Sequence, residues 1–162
     1  MKWFLTILIA AFSISMQAQD YKLEGNEVKI AKPVLFESGS AKLKSESIAA
    51  LEIIKQYLID KTYISQLRVE CHTDNSGDAN ICQALTEKRA MVVCKKLIEL
   101  GVDCTKLIAV GFGGSKPVAD NSTLEGKAEN LRVSFVNVSL RGHVIGGMPI
   151  DGGGKLAGEL CN

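Results

Sequence analysis

Apolar positions along the chain repeat with a helical period in two long segments. From Leu43 to about Asp60 they recur at intervals of three and four residues, which predicts an amphipathic helix. The segment from about Asn80 to Leu100 has the same period with lysines on its other side, and Gly101 is placed to end it. Each predicted helix therefore has one apolar face to bury.

Strand signals lie between and around these helices. Residues 28–36 are rich in β-formers but contain Pro33, which indicates a bend or an edge position. Short runs at 67–71 and 107–110 predict two further strands, and 131–140 predicts a last strand with one buried face. The order strand, helix, strand, helix, strand, strand predicts an α+β fold. We expect a βαβαββ two-layer sandwich with the helices packed on one face of a mixed sheet.

The N-terminal segment has a different character. Lys2 precedes an apolar run of about fourteen residues, and the segment ends at Met16-Gln17-Ala18 with the small residue that signal peptidase prefers. The run is shorter than the ~20 residues that span a bilayer. We therefore expect residues 1–18 to be a cleaved signal peptide, with a retained N-terminal anchor as the alternative, and we expect export to the periplasm.

Removal of that segment leaves one ordinary domain with short additions. We expect an N-terminal extension at 19–32, the folded domain at 33–138 and a Gly-rich C-terminal tail at 139–162 that is flexible or loosely docked. The net charge of +1 gives no field that would attract nucleic acid or an anionic membrane.

Cysteine spacing argues against a metal or redox centre. The close pairs that such centres use do not occur among the five cysteines, so we expect neither a metal nor a cofactor. In an oxidising compartment four of them could form two disulfides in a connectivity that spacing does not fix. Cys161 is the expected unpaired residue among cysteines 71, 82, 94, 104 and 161.

Candidate chemistry lies at the end of the second predicted strand. Asp74 follows this strand in a loop, and Arg89 lies fifteen residues later on the next helix, so both could face one crevice. An aspartate can bind an ammonium group, and an arginine can bind a carboxylate through two parallel hydrogen bonds. The pair therefore predicts a site for a zwitterion. The alternative is an internal ion pair that fixes the loop to the helix.

Other signals favour binding over catalysis. His72 is interpreted as a hydrogen-bonded residue at a strand end, and His143 lies in the Gly-rich tail, so no nucleophile has a partnered histidine and acid. Gly111-Phe112-Gly113 follows a strand but opens no helix, which argues against a dinucleotide site. We expect no enzyme activity.

Several blocks together resemble a known family. In order they are Phe36-Glu37-Ser38-Gly39-Ser40, His72-Thr73-Asp74, Leu85-Thr86-Glu87-Lys88-Arg89-Ala90, Gly111-Phe112-Gly113 with Pro117, and residues 121–133. Their order and spacing over roughly residues 33 to 138 resemble the OmpA-like peptidoglycan-binding domain. The resemblance implies non-covalent binding of the cell-wall peptide stem through meso-diaminopimelate.

The resemblance also implies roles for particular residues. The positions of Asp74 and Arg89 match the family residues that hold the ammonium and carboxylate of diaminopimelate. Thr73, the Ser38-Gly39 turn and Asn130 match positions that line or shape the family pocket. The predicted function is wall binding by a periplasmic protein associated with the outer membrane or with an envelope partner.

The chain departs from the family pattern at four positions. Cys71 stands where glycine is common, Cys82 where asparagine is common, and Leu131 and Lys127 each replace an arginine. The loss of a guanidinium at Leu131 predicts weaker binding, by ~1 to 3 kcal/mol for one charge-assisted hydrogen bond. The alternative function is a protein-interaction module that keeps the fold but has a degenerate ligand site.

Overall fold

A mixed seven-stranded sheet organises the chain in the computed structural model, which describes residues 20–147 and 152–161. The strands are β1 Tyr21–Glu24, β2 Glu27–Ile30, β3 Ile64–Cys71, β4 Leu107–Gly111, β5 Val133–Leu140, β6 His143–Val144 and β7 Lys155–Leu156. Their order in the sheet is β1-β2-β5-β3-β4-β7, with β6 paired to β5. Among these described strands only β3 and β4 run parallel, and the other pairs are antiparallel.

The helices are α1 Ser47–Asp60, α2 Ala79–Glu99 and α3 Leu124–Asn130, and a short 3₁₀ helix, Cys104–Lys106, precedes β4. Helix α2 begins at Ala79 because the side chain of Asp78 accepts hydrogen bonds from the first free amides. After it, Gly101 has a φ of +103°, a conformation that a glycine adopts without a steric cost. The two long predicted helices are thus confirmed.

Side chains alternate along β3 and separate the two faces of the sheet. Leu67 and Val69 are fully buried in the core with residues from α1 and α2. Arg68, Glu70 and His72 alternate with them and therefore lie on the other face, where they are also buried. The predicted fold class, a two-layer sandwich with the helices on one face of a mixed sheet, is confirmed.

The N-terminal part of the fold differs from the prediction. Residues assigned to an extension form the β1–β2 hairpin, and β2 joins the sheet with Val28 opposite Phe135. The predicted strand at 28–36 ends at Ile30, because Pro33 has no amide hydrogen for a sheet ladder and the chain turns away. Downstream, Phe36 makes only an isolated bridge with Leu43.

Before the last long strand the structure contains helix α3, which the sequence did not predict. The side chain of Thr123 accepts a hydrogen bond from the Gly126 amide and caps its start. The strand predicted from Leu131 consequently starts at Val133, and Leu131 lies in the connection after the helix.

The C-terminal tail is docked rather than loose in its described part. Strand β7 extends the sheet beside β4, and Ala157 and Leu160 pack against the core. A disulfide joins Cys104 to Cys161, with 5.4 Å between the two Cα atoms. The prediction that Cys161 is unpaired is therefore wrong. The tail returns along β4 and brings Cys161 next to Cys104, which lies in the 3₁₀ helix before this strand.

The predicted signal peptide lies outside the described residues. Among the helices that the structure does describe, none has the length and apolarity to cross a membrane.

Candidate ligand-binding site

A cavity of about 460 Å³ opens between the segment 34–39, the loop after β3 and the first half of α2. Its walls are mainly apolar, with a few charged and hydroxyl groups. The lining residues are Val34, Leu35, Phe36, Glu37, Ser38, Gly39, Thr73, Asp74, Gly77, Cys82, Leu85, Arg89 and Leu131. The cavity therefore contains five of the six predicted site residues, and Asn130 is the exception.

Asp74 is positioned by the end of the sheet and by its own loop. The preceding residue, Thr73, donates its amide hydrogen to the Gly113 carbonyl at 2.8 Å, which holds the chain beside the neighbouring strand end. Asp74 Oδ1 then accepts a hydrogen bond of 2.9 Å from the Ser76 amide. This turn orients the half-buried carboxylate, and its Oδ2 has no protein partner within the described ranges.

Arg89 is fixed by two contacts from the segment before α1. Its Nε donates to the Ser40 carbonyl at 2.9 Å, and its guanidinium lies 4.7 Å from the centre of the Phe36 ring. Burial lowers the pKa of Arg89, but a guanidinium remains charged at neutral pH. In the described part of the chain its two terminal nitrogens have no hydrogen-bond partner, which leaves them for a ligand.

Asp74 and Arg89 do not neutralise each other. No ion pair within 4.0 Å joins them among the described residues, so the alternative of an internal salt bridge is not what the structure contains. One cavity thus presents a carboxylate and a guanidinium separately. Such a site can bind a ligand that carries both an ammonium and a carboxylate.

Thr73 adds a polar group without a partner. Its side chain is only 5% exposed, and Oγ1 has no hydrogen bond in the structure. A buried hydroxyl without a partner costs about 1 to 3 kcal/mol. Thr73 lines the cavity, but Oγ1 itself is covered by the protein, so this hydroxyl becomes a partner for a ligand only after the loop around it moves.

The turn before α1 forms the opposite wall. Ser38 and Gly39 line the cavity, and Gly39 has a φ of +63°, which favours glycine at this position. The turn is closed by hydrogen bonds between Glu37 and Lys42 and between Ser40 and Glu37. It delivers the Ser40 carbonyl to Arg89, so the Ser38-Gly39 turn helps to orient the guanidinium.

Asn130 has a different position. It is fully buried, and its amide group bonds to the loop before α3 rather than facing the cavity. Its next neighbour, Leu131, lines the cavity with 51% of its surface exposed. Asn130 therefore shapes the wall that carries Leu131.

The sequence did not indicate two apolar parts of the site. Phe36 was recognised in a block but not as the ring beneath Arg89, and Leu35 was not singled out although it lines the cavity. The only available signal was the mixture of apolar and turn residues at 34–39, because the contacts with α2 join positions 49 residues apart.

A second polar cluster lies on the other face of the sheet. Glu70 Oε1 accepts from Arg68 Nε at 2.7 Å, and Lys116 Nζ lies 3.7 Å from Oε2. Burial by itself would raise the pKa of Glu70, but the interactions with His72, Arg68 and Lys116 outweigh it and lower the pKa to about 2. Burial lowers the pKa of His72, whose Nε2 lies 3.3 Å from Glu70 without hydrogen-bond geometry. No group of side chains suited to a metal occurs in the described ranges.

Comparison of this sequence with known proteins identifies a matching family and several similar proteins. Residues 35–131 match the OmpA family. The outer-membrane lipoprotein YfiB of Pseudomonas aeruginosa is 37% identical over 123 residues, which cover 75% of this chain and 73% of that protein.

Two solved structures have the same fold. The peptidoglycan-associated lipoprotein of Burkholderia pseudomallei is 30% identical with a TM-score of 0.58, covering 65% of this chain and 88% of that chain. The cell wall anchor of the type VI secretion system of Pseudomonas aeruginosa is 28% identical with a TM-score of 0.62, covering 75% and 89%.

Proposed function

Since the chain belongs to the OmpA family, we propose that it binds peptidoglycan non-covalently through diaminopimelate of the peptide stem. The observation that carries the proposal is the cavity in which Asp74 and Arg89 are both present and not paired with each other. The names of the two solved relatives, a peptidoglycan-associated lipoprotein and a cell wall anchor, support a wall ligand.

The chemistry of diaminopimelate fits these residues. The side-chain end of this amino acid carries an ammonium and a carboxylate on one carbon. Asp74 accepts hydrogen bonds from the ammonium, and the terminal nitrogens of Arg89 donate two parallel bonds to the carboxylate. Leu35, Leu85 and the Phe36 ring border the aliphatic part of the ligand, and Thr73 lies beside Asp74 in the same cavity wall.

The role that follows is attachment rather than catalysis. A single small site binds one stem modestly, but a polymer with many stems prolongs retention by rebinding. We place the protein in the periplasm at the wall, exported by the predicted signal peptide. A membrane end would come from an envelope partner or from a retained N-terminal segment.

Retention on purified diaminopimelate-type sacculi tests the proposal. Asp74→Asn keeps an oxygen for the Ser76 amide but removes the charge, and Arg89→Lys keeps the charge but removes the planar fork. Each substitution should weaken retention by about 10- to 100-fold. Lys88→Ala is the matched control because Lys88 is exposed on the same helix, and it should bind like the wild type.

Competition with small molecules identifies the ligand group. Meso-diaminopimelate at millimolar concentration should release the protein from sacculi, and 1,5-diaminopentane should not, because it carries the ammonium groups on a chain of the same length without any carboxylate. Equal release by both would remove Arg89 from the proposed role.

A protein-interaction module is the second candidate, and the exposed Leu131 in the cavity wall favours it. In that case the folded wild-type protein would stay in the supernatant with sacculi of either wall type. Leu131→Arg would then restore retention if the missing guanidinium is the cause.

A further inference from the structure

Three cysteines of the chain are free, and they differ in their surroundings. Cys71 and Cys94 are buried in the core, where burial raises the pKa of each thiol and excludes reagents. Cys82 is half-buried and lines the candidate cavity. It is thus the free thiol among the described residues that is open to a reagent from solution.

The direction of this thiol matters for the site. A Cβ atom placed on Gly77 would lie 2.9 Å from Cys82 Sγ, so the sulfur is directed at the backbone of the loop that begins with Asp74. This close approach leaves little room for a larger group between the sulfur and the loop. We therefore expect a group added to the sulfur to occupy part of the cavity that Cys82 lines or to displace the loop.

A second observation concerns a polar residue of the same cavity. Thr73 lines the cavity, and its buried hydroxyl has no hydrogen-bond partner. Cys82, Thr73 and Asp74 are thus lining residues of one space. A group that fills the space next to Cys82 therefore competes with a ligand bound at Asp74.

We propose that Cys82 is a modification site at which a small disulfide forms a mixed disulfide that closes the cavity to the wall ligand, an inference that rests on the proposed function. The Cys82 thiolate attacks one sulfur of the reagent and the S–S bond of the reagent breaks. One half remains on Cys82 and the other leaves as a thiolate that takes up a proton. No other oxidant is needed, and a thiol reverses the step.

The first part of the test counts reactive thiols with 5,5′-dithiobis(2-nitrobenzoate). The native protein should release one thionitrobenzoate per chain, and the denatured protein three, which correspond to the three free cysteines. Native Cys82→Ser should release none. If native wild type releases none, or if Cys82→Ser releases as much as wild type, the proposal is overturned.

The second part compares each protein with its own untreated sample on diaminopimelate-type sacculi. Treated wild type should lose retention by at least about tenfold, while treated and untreated Cys82→Ser should be retained equally. Methyl methanethiosulfonate, which adds only a methylthio group, should cause a smaller loss if the size of the added group matters. Circular dichroism of the treated protein excludes unfolding as the cause.

The outcomes separate this inference from the function on which it rests. Retention of wild type both before and after complete labelling leaves wall binding intact and overturns the modification site. Absence of retention before labelling overturns the proposed binding of the wall ligand, and the proposed effect of Cys82 modification is overturned with it. Slower labelling in the presence of meso-diaminopimelate, by about fivefold or more at saturation, supports a shared cavity.

Discussion

Asn130 shows how one buried side chain can shape the wall of a candidate site without lining its cavity. Its Oδ1 accepts from the amides of Val118 and Ala119, and its Nδ2 donates to the Ala119 carbonyl and to Asn121. Asn130→Ala would remove four hydrogen bonds of a fully buried side chain and leave partly buried backbone groups without these partners, so the free energy of unfolding should fall by about 2 to 4 kcal/mol. Urea unfolding of the variant measures this change.

The control for this substitution is Asn75→Ala, since Asn75 is exposed in a loop. Its free energy of unfolding should change by less than about 0.5 kcal/mol. Equal stability of the two variants would show that the hydrogen bonds of Asn130 add nothing net to the fold.

At the scale of single residues the sequence predicted that Asp74 and Arg89 face one crevice, but it did not predict the contacts that hold them there. Asp74 and Arg89 were identifiable because polar residues at a strand end and on the following helix have a known tendency to converge. The contacts of Arg89 with Phe36 and with the Ser40 carbonyl depend on how the chain folds back to bring the segment before α1 against α2. The spacing of residues along the sequence does not show that two distant segments of the chain come into contact.

Strand β3 places a charged cluster on the face of the sheet opposite the helices. Burial by itself would raise the pKa of Glu70, but the interactions with His72, Arg68 and Lys116 lower it to about 2, below its usual value of 4.5. The contribution of Glu70 to the free energy of unfolding is therefore fully present above pH 4.5 and is lost as the pH falls towards 2. His72 is buried with a pKa below 6.5, so protonation at lower pH also favours the unfolded chain. Arg132 opposes protonation of His72 further.

The lowered pKa values of Glu70 and His72 both predict that acid destabilises the fold. The effect of His72 begins below about pH 6.5, and that of Glu70 begins below about pH 4.5. Urea unfolding between pH 8 and 3 should show a fall in the free energy of unfolding that starts near pH 6.5 and steepens below 4.5, with about 2 kcal/mol of it from Glu70 at pH 3. Glu70→Gln should remove the steeper part. Glu52→Gln is the control because Glu52 forms only an exposed ion pair with Lys55, and it should keep the wild-type profile. A Glu70→Gln profile as steep as that of wild type below pH 4.5 would contradict the assignment.

Elements with strong periodicity were predicted well, and weak ones were missed for identifiable reasons. Helices α1 and α2 each have enough buried positions to set a period. In the β1–β2 hairpin only Val28 is fully buried, so lysine and glutamate conceal the strand pattern. Helix α3 spans seven residues and buries only Gly126 and Asn130, which gives no apolar stripe to detect.

The whole molecule is closed by contacts between its tail and a strand in the middle of the sequence. Strand β7 adds to the edge of β4, and the Ala157 amide donates to the Ala109 carbonyl at 2.9 Å. The glycines of the tail predicted flexibility. Composition gives the intrinsic flexibility of a segment, but it does not show that the segment pairs with a strand such as β4. The pairing of Cys161 with Cys104 was equally hidden, because it follows from the path of the tail along β4.

The disulfide should therefore contribute to the stability of the whole domain. It closes a loop with a sequence separation of 57 residues, and chain entropy alone gives about 4 kcal/mol for such a loop. The double variant Cys104→Ser/Cys161→Ser should unfold at lower urea concentration, and the amide of Ala157 should exchange faster in it than in the parent. Cys82→Ser removes a thiol that lies outside this bridge and serves as the control. If the double variant and the control unfold at the same urea concentration, the docked tail adds nothing to global stability, and the sheet must be stable without β7.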